Sequence, residues 1–258
     1  NRAAAKWAVR TPGGLLLADA VVLAGCGRPA VLKLLRSLGF AAGPALRNAL
    51  RSAGLYVVGP GEAFPSHTRE LVRQAKKRGV QVTAEVTPQH LIFTDEVLRT
   101  FETRYKVNPP IRSEEHRAAC VAGLQDGTID AVVTDHAPHE WEEKDQEFNL
   151  APSGFVGLET SVGAMLTYMY HTGNIDLMTL VNAMSTAQAK ILGLDAGVIA
   201  PGKDADLTVL DLDKEWTVDS SKFYSKGKAS PFDEMIFKGK AAATIVNGKI
   251  VMKNGEVL

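Results

Sequence analysis

The segment Ile129-Asp130-Ala131-Val132-Val133-Thr134-Asp135-His136-Ala137-Pro138-His139 restricts the fold more than any other stretch of this chain. A β-branched apolar run stops at Thr134, and three ionisable side chains follow at once. A strand buried on both faces reads this way when its C-terminal end opens into a site. In a (β/α) barrel the loop after such a strand carries chemistry. Pro138 stiffens that loop, so Asp135 and His139 are expected to be held in fixed directions. The alternative is an ordinary strand followed by a polar loop.

A chain of 258 residues is long enough for a sizeable core, a complete barrel taking roughly 250. Equal numbers of acidic and basic residues give no electrostatic footprint for nucleic acid or an anionic membrane. No apolar run reaches the roughly 18 residues that cross a bilayer, and the start Asn1-Arg2-Ala3 lacks a signal-peptide pattern. A cytoplasmic protein is expected. Cys26 and Cys120 make neither a disulfide framework nor a cysteine zinc site by themselves.

Composition changes sharply near residue 66. Before it stand two acidic residues, Asp19 and Glu62, against eight Lys and Arg, with no His and no Ile. After it come all six His and all nine Ile. Val31–Leu38 could form a short helix and Leu55–Val58 a short strand, but Gly and Pro interrupt any period between them. Gly25-Cys26-Gly27 lacks the third glycine and the βαβ context of a phosphate loop. The joint loss of composition and period suggests that residues 1–66 come from a shifted reading frame, joined to the true one near Pro65 to Thr68.

From residue 67 the pattern is regular. Thr68 to Gly79 reads as a helix with Leu71, Val72 and Ala75 apolar and Gly79 ending it. Val80 to Val86 alternates like a strand. Ser113 is placed to N-cap a helix that runs to Gly127, with Glu114 and Glu115 at its positive end. The Ile129–Val133 strand follows, which is the rhythm of a parallel sheet. Helices are expected over 160–171, 177–184 and 186–192. Ala205 to Leu212 then alternates as a strand, and Asn247-Gly248 joins two more across a type I′ turn, a signal that Asn254-Gly255 repeats.

Four stretches carry a family resemblance: Glu85-Val86-Thr87-Pro88-Gln89-His90, Lys106-Val107-Asn108-Pro109-Pro110-Ile111-Arg112, Thr134 to His139, and Ala151-Pro152-Ser153-Gly154-Phe155-Val156-Gly157-Leu158-Glu159-Thr160. Together they resemble the dihydroorotases of the zinc amidohydrolase superfamily. Gly197 to Leu207 resembles the entry to that superfamily's C-terminal β-sandwich. The resemblance covers about residues 67 to 258. It implies an α/β fold: part of a TIM-like (β/α) barrel over 67–195, with a small β-sandwich module over 196–258.

The resemblance also implies an activity, the reversible closure of N-carbamoyl-L-aspartate to dihydroorotate in pyrimidine synthesis. Asp135 then serves as metal ligand and general acid/base beside two zinc ions. Asn108, His139, Ser153 and Gly154 then meet the substrate. His136, alternating to the opposite face, is expected to be structural, and His90 to be structural or to support the site from behind. Arg112 is expected to pair with a carboxylate on the following helix. His67, His116 and His171 have no metal-ligand spacing.

The chain departs from the family in lacking any His-x-His pair, and Glu62 stands about where a histidine ligand belongs. Two alternatives therefore stay open. One is a non-catalytic dihydroorotase-like partner of aspartate carbamoyltransferase; the other is a hydantoinase- or allantoinase-type cyclic amidase. A homodimer is compatible with each.

Overall fold

The computed structural model describes residues 8–10, 16–18 and 66–258. The expected helix at 31–38, the expected strand at 55–58, the Gly25–Gly27 stretch, Glu62 and the frame junction at Pro65 lie outside them. Packing divides the chain into two compact units, Asn1–Ala84 and Glu85–Leu258.

In the first unit, β1 (Ala8–Arg10) pairs antiparallel with β2 (Leu16–Ala18). Helix α1 (Ser66–Lys77) follows. Val72 and Ala75 are buried as expected, whereas Leu71 faces solvent. Glu70 accepts from Arg73 Nε at 2.8 Å and from Gln74 at 3.0 Å, which fastens the exposed face at helical spacing. Gly79 ends the run at φ +77°, where a side chain would be strained. The strand expected over 80–86 is shorter. Val82 N–H bonds back to Val80 O at 3.0 Å, a local turn that spends this amide within the segment.

The second unit begins with β3 (Glu85–Val86), which pairs in parallel with β4 (Ala131–Val132). Between them run α2 (Pro88–Ile92), two 3₁₀ turns at Asp95–Thr100 and Thr103–Tyr105, and α3 (Glu114–Gln125). This is the expected strand–helix–strand crossover. β4 falls short of the expected 129–133 because Ile129 N–H bonds to Gly123 O at the end of α3. Val133 N–H still reaches Val86 O at 2.9 Å, so the wall continues to the site. A parallel bridge from His136 to Phe155 extends it sideways.

Ser113 precedes α3, but its hydroxyl bonds His116 Nδ1 at 2.8 Å rather than a backbone amide. Beyond the site, α4 (Trp141–Lys144) is a single turn. α5 (Ser161–Met165) continues as a π-helical turn, Leu166–Tyr170, and α6 (Leu177–Val181) as another, Asn182–Thr186, before α7 (Ala187–Leu192). The first π turn has a local reason. Thr167 Oγ1 donates to Gly163 O at 2.7 Å and accepts Lys238 N–H at 2.8 Å, which opens the helical ladder there.

Among the described residues the C-terminal module is one antiparallel sheet in the order β5 (Leu207–Thr217), β6 (Ile236–Val246), β7 (Lys249–Lys253), β8 (Glu256–Val257). β5 outruns its expected end at Leu212 because β6 pairs with it as far as Thr217. Asp211 accepts the amides of Asp213 and Lys214 at 3.1 Å each within the bulge this pairing needs. Both expected hairpin turns form, with Asn247 and Gly248 at φ 49° and 75° and Asn254 and Gly255 at 54° and 91°.

An aromatic core ties this sheet to the site loops. Phe232 stacks on Phe93 at 5.2 Å and meets Phe155 and Phe237 edge-on at 6.1 and 5.7 Å. Such pairs add specific geometry to the burial of large apolar surface.

Candidate active site

Asp135 stands at the end of β4 with φ 47°, a left-handed conformation that a short polar residue tolerates better than most. Its side chain opens to solvent on one side. Burial on the other raises its carboxyl above the ordinary value, and the charge of nearby His90 works against that rise. A carboxylate of this kind can hold a proton and release it.

His90 is turned toward the same place from α2. Its Nδ1 lies 2.6 Å from Thr87 Oγ1, and its Nε2 lies 3.0 Å from Pro109 O. The carbonyl can only accept, so Nε2 carries the proton and Nδ1 accepts from the hydroxyl. That is the neutral tautomer, and it agrees with a pKa lowered mainly by burial, against which the Pro109 bond and Asp135 act. His90 thereby anchors the turn that follows Asn108. Asn108 itself is exposed, joined to Pro109 by a cis peptide bond.

The other two loops lock onto this turn. Gly154 N–H donates to Lys106 O at 2.9 Å. Gly154 is buried at φ +123°, and a Cβ there would lie 2.6 Å from Ala137 Cβ and 3.3 Å from His139 Nε2. Only glycine lets these loops meet. Ser153 is exposed, and its carbonyl lies 3.1 Å from His139 Nε2. His139 Nδ1 lies 3.2 Å from Glu143 Oε2. Both partners of this ring are acceptors, so both bonds are complete only in the doubly protonated imidazolium.

The structure therefore places Asp135, Asn108, His139, Ser153 and Gly154 on three loops, linked through His90, Pro109 and Lys106. His136 Nδ1 accepts Gly157 N–H at 3.2 Å and holds the start of the next segment. His116 and His171 bond Ser113 and the Leu212 carbonyl. Of the two carboxylates in the first turn of α3, Glu114 is taken by Arg117 at 2.6 Å.

Three residues with roles here escaped sequence reasoning. Thr87, Lys106 and Lys144 carried no reading of their own. Lys144 sits in Glu140-Trp141-Glu142-Glu143-Lys144-Asp145, a charge run that reads as solvated surface, yet it is 1% exposed.

The fit to zinc is poor. Zinc normally takes three or four protein ligands, and the described residues hold no group of three His, Cys, Asp or Glu placed for a metal. Residues 1–66 contribute no histidine to such a set. Asp135 with one imidazole already bonded at both nitrogens does not make a metal site.

Comparison with known proteins agrees with this geometry. The amidohydrolase family pattern matches residues 48–251, reaching back past residue 67, where the resemblance was read to start. A dihydroorotase of Citrifermentans bemidjiense is 50% identical over 181 residues, which are 70% of this chain and 42% of that protein. That of Bacillus subtilis is 45% identical over 188 residues, 73% of this chain and 44% of its own. The chain thus spans about two fifths of the length of the curated relatives it matches. The L-hydantoinase of Arthrobacter aurescens superposes with a TM-score of 0.75 at 31% identity, covering 97% of this chain and 64% of that one. The strand-end carboxylate, the parallel pair behind it and the three interlocked loops are thus parts of the metallo-dependent hydrolase barrel, and the chain belongs to the amidohydrolase family.

Proposed function

We propose that residues 85–258 supply the substrate-recognising and proton-handling side of a dihydroorotase, acting on the dihydroorotate and N-carbamoyl-L-aspartate pair. The observation that carries this reading is the linking of the loops that bear Asp135, Asn108, His139 and Ser153–Gly154 through His90, Pro109 and Lys106. Identities of 44–50% to dihydroorotases support it, against 31% to the L-hydantoinase.

In the hydrolytic direction, a water oxygen adds to the ring amide carbon. The C–N bond breaks, the nitrogen leaves with a proton, and the new carboxylic acid releases its remaining proton to solvent to become a carboxylate. Asp135 takes the water's proton and returns it to the leaving nitrogen, which suits a carboxyl raised by burial. Asn108 offers one donor and one acceptor to the ring's amide edge. His139 lies beside the ring's anionic carboxylate, and the Ser153–Gly154 backbone bounds the other side. A cytoplasmic site of action, in pyrimidine synthesis, goes with this assignment. Among the described residues no helix is long and apolar enough to cross a membrane.

A second reading is favoured by one observation, the absence of a three-ligand metal group among the described residues. It is a non-catalytic subunit that binds aspartate carbamoyltransferase. The two are separated by titrating the purified chain with L-dihydroorotate, with hydantoin as competitor, while measuring bound zinc and hydrolysis. Saturable dihydroorotate binding lost in Asn108→Ala and His139→Ala is expected. Where zinc and turnover accompany it, Asp135→Asn should lower the rate by about 10²–10⁴ while leaving the fold intact. No binding of dihydroorotate would sink the first reading. Sedimentation of the chain alone and with the transferase then reads out a homodimer or the mixed complex.

A further inference from the structure

Lys144 is the one fully buried charged side chain among the described residues, and nothing in the proposed chemistry uses it. Its ammonium donates to Pro152 O and to Gly154 O, each at 2.9 Å. Between those carbonyls lies that of Ser153, which goes instead to His139 Nε2 at 3.1 Å. The carbonyls on either side of that of Ser153 are thus both anchored to one ammonium, in a segment that bends at Ser153 and passes through Gly154 at φ +123°. Holding the outer two on Lys144 therefore fixes the direction of the middle one.

The same helical turn grips both partners. Glu143 meets His139 Nδ1, and the neighbouring Lys144 meets the loop. α4 is itself pinned, since Thr103 Oγ1 donates to Lys144 O at 2.6 Å. From the other side, Lys106 Nζ donates to Phe148 O at 2.6 Å and Asn149 O at 3.2 Å. Burying an ammonium costs several kcal/mol, and an apolar side chain of similar size would fill this space without that cost. The charge is explained by what it holds.

We propose that Lys144 is a positioning residue, whose ammonium sets the Pro152–Gly154 loop so that Ser153 orients His139 toward an anionic ring substrate. The proposal rests on the reading that His139 and this loop meet substrate. Lys144 is also depressed to about 8, first by burial and then by the charge of Lys106, the charged neighbour that acts on it.

The test uses the full chain, labelled for NMR at glycine amides and histidine rings, as wild type, Lys144→Met and Lys144→Arg. Circular dichroism checks the fold. In Lys144→Met the Gly154 amide and His139 ring signals should move, while those of His116 and His171, held by Ser113 and Leu212, stay in place. L-Dihydroorotate should bind about tenfold more weakly, as expected for lost charge-assisted hydrogen bonds, with partial recovery in Lys144→Arg. Unmoved Gly154 and His139 signals in a folded Lys144→Met chain overturn the proposal.

Should Lys144→Met not fold, wild type is titrated instead. Gly154 and His139 signals that follow the Lys144 midpoint near 8 support the role, and signals blind to that midpoint overturn it. Absence of dihydroorotate binding in wild type would end the substrate reading alone. The spectra would still judge Lys144.

Discussion

Gly154 shows how much one residue type decides at this site. At φ +123°, with Ala137 Cβ only 2.6 Å from where a Cβ would stand, no side chain fits without moving the loop that carries His139. Gly154→Ala should therefore lose about 1–3 kcal/mol of stability in urea unfolding and weaken dihydroorotate binding together. A variant that loses stability but binds normally would place the strain away from the site. Much of this was legible beforehand. A glycine in a loop allows close backbone approach, and an Asp at the end of a β-branched run marks a strand opening into a site. Lys144 was not legible, because a lysine among acidic residues on a short turn has the pattern of a solvated face. His90 was half legible: its neighbours in sequence do not show that Pro109 accepts its proton from across the crossover. Long-range acceptors of this kind leave no local trace.

Elements were legible where local chemistry decides them. The two Asn-Gly turns formed where expected, since positive φ at both positions needs nothing from the rest of the chain. Helices α1 and α3 ended at their glycines for the same reason. Strand lengths were not legible, because a ladder depends on what lies alongside. Val80–Val82 bends back on itself, while β5 runs on to Thr217 only because β6 accompanies it. The π turn after α5 depends on Thr167 bonding strand β6, and no helical period reports that. The approach of α5 to the sheet rests on Gly163. A Cβ there would stand 2.6 Å from the Phe237 ring and 2.9 Å from Trp216. Gly163→Val should cost about 1–3 kcal/mol by overpacking, read as a lower denaturation midpoint, and near-UV dichroism of Trp216 should change with it. An unchanged Trp216 signal would mean that the helix, rather than the aromatic cluster, gives way.

At the scale of the whole molecule, the buried titratable groups predict how stability follows pH. Lys144 has a folded pKa of about 8 against an ordinary 10.5, so between those values the unfolded chain binds more protons than the folded one. Stability from this group is present above 10.5 and is lost as pH falls through about 8. Cys120 acts in the opposite sense. Burial raises its thiol from 9.0 to about 11, so its contribution is present below 9.0 and fades as pH rises toward 11. Lys144 thus acts without this opposition between about 8 and 9, where stability should rise with pH by at most about 1.4 kcal/mol per unit for one proton. Above 9 the two should largely cancel. Urea midpoints measured across this range on wild type, Lys144→Met and Cys120→Ala separate the contributions. Lys144→Met should flatten the rise between 8 and 9, and Cys120→Ala should let it continue toward 10.5. A wild-type curve already flat from 8 to 9 would show that the Lys144 ammonium is not desolvated in the folded chain.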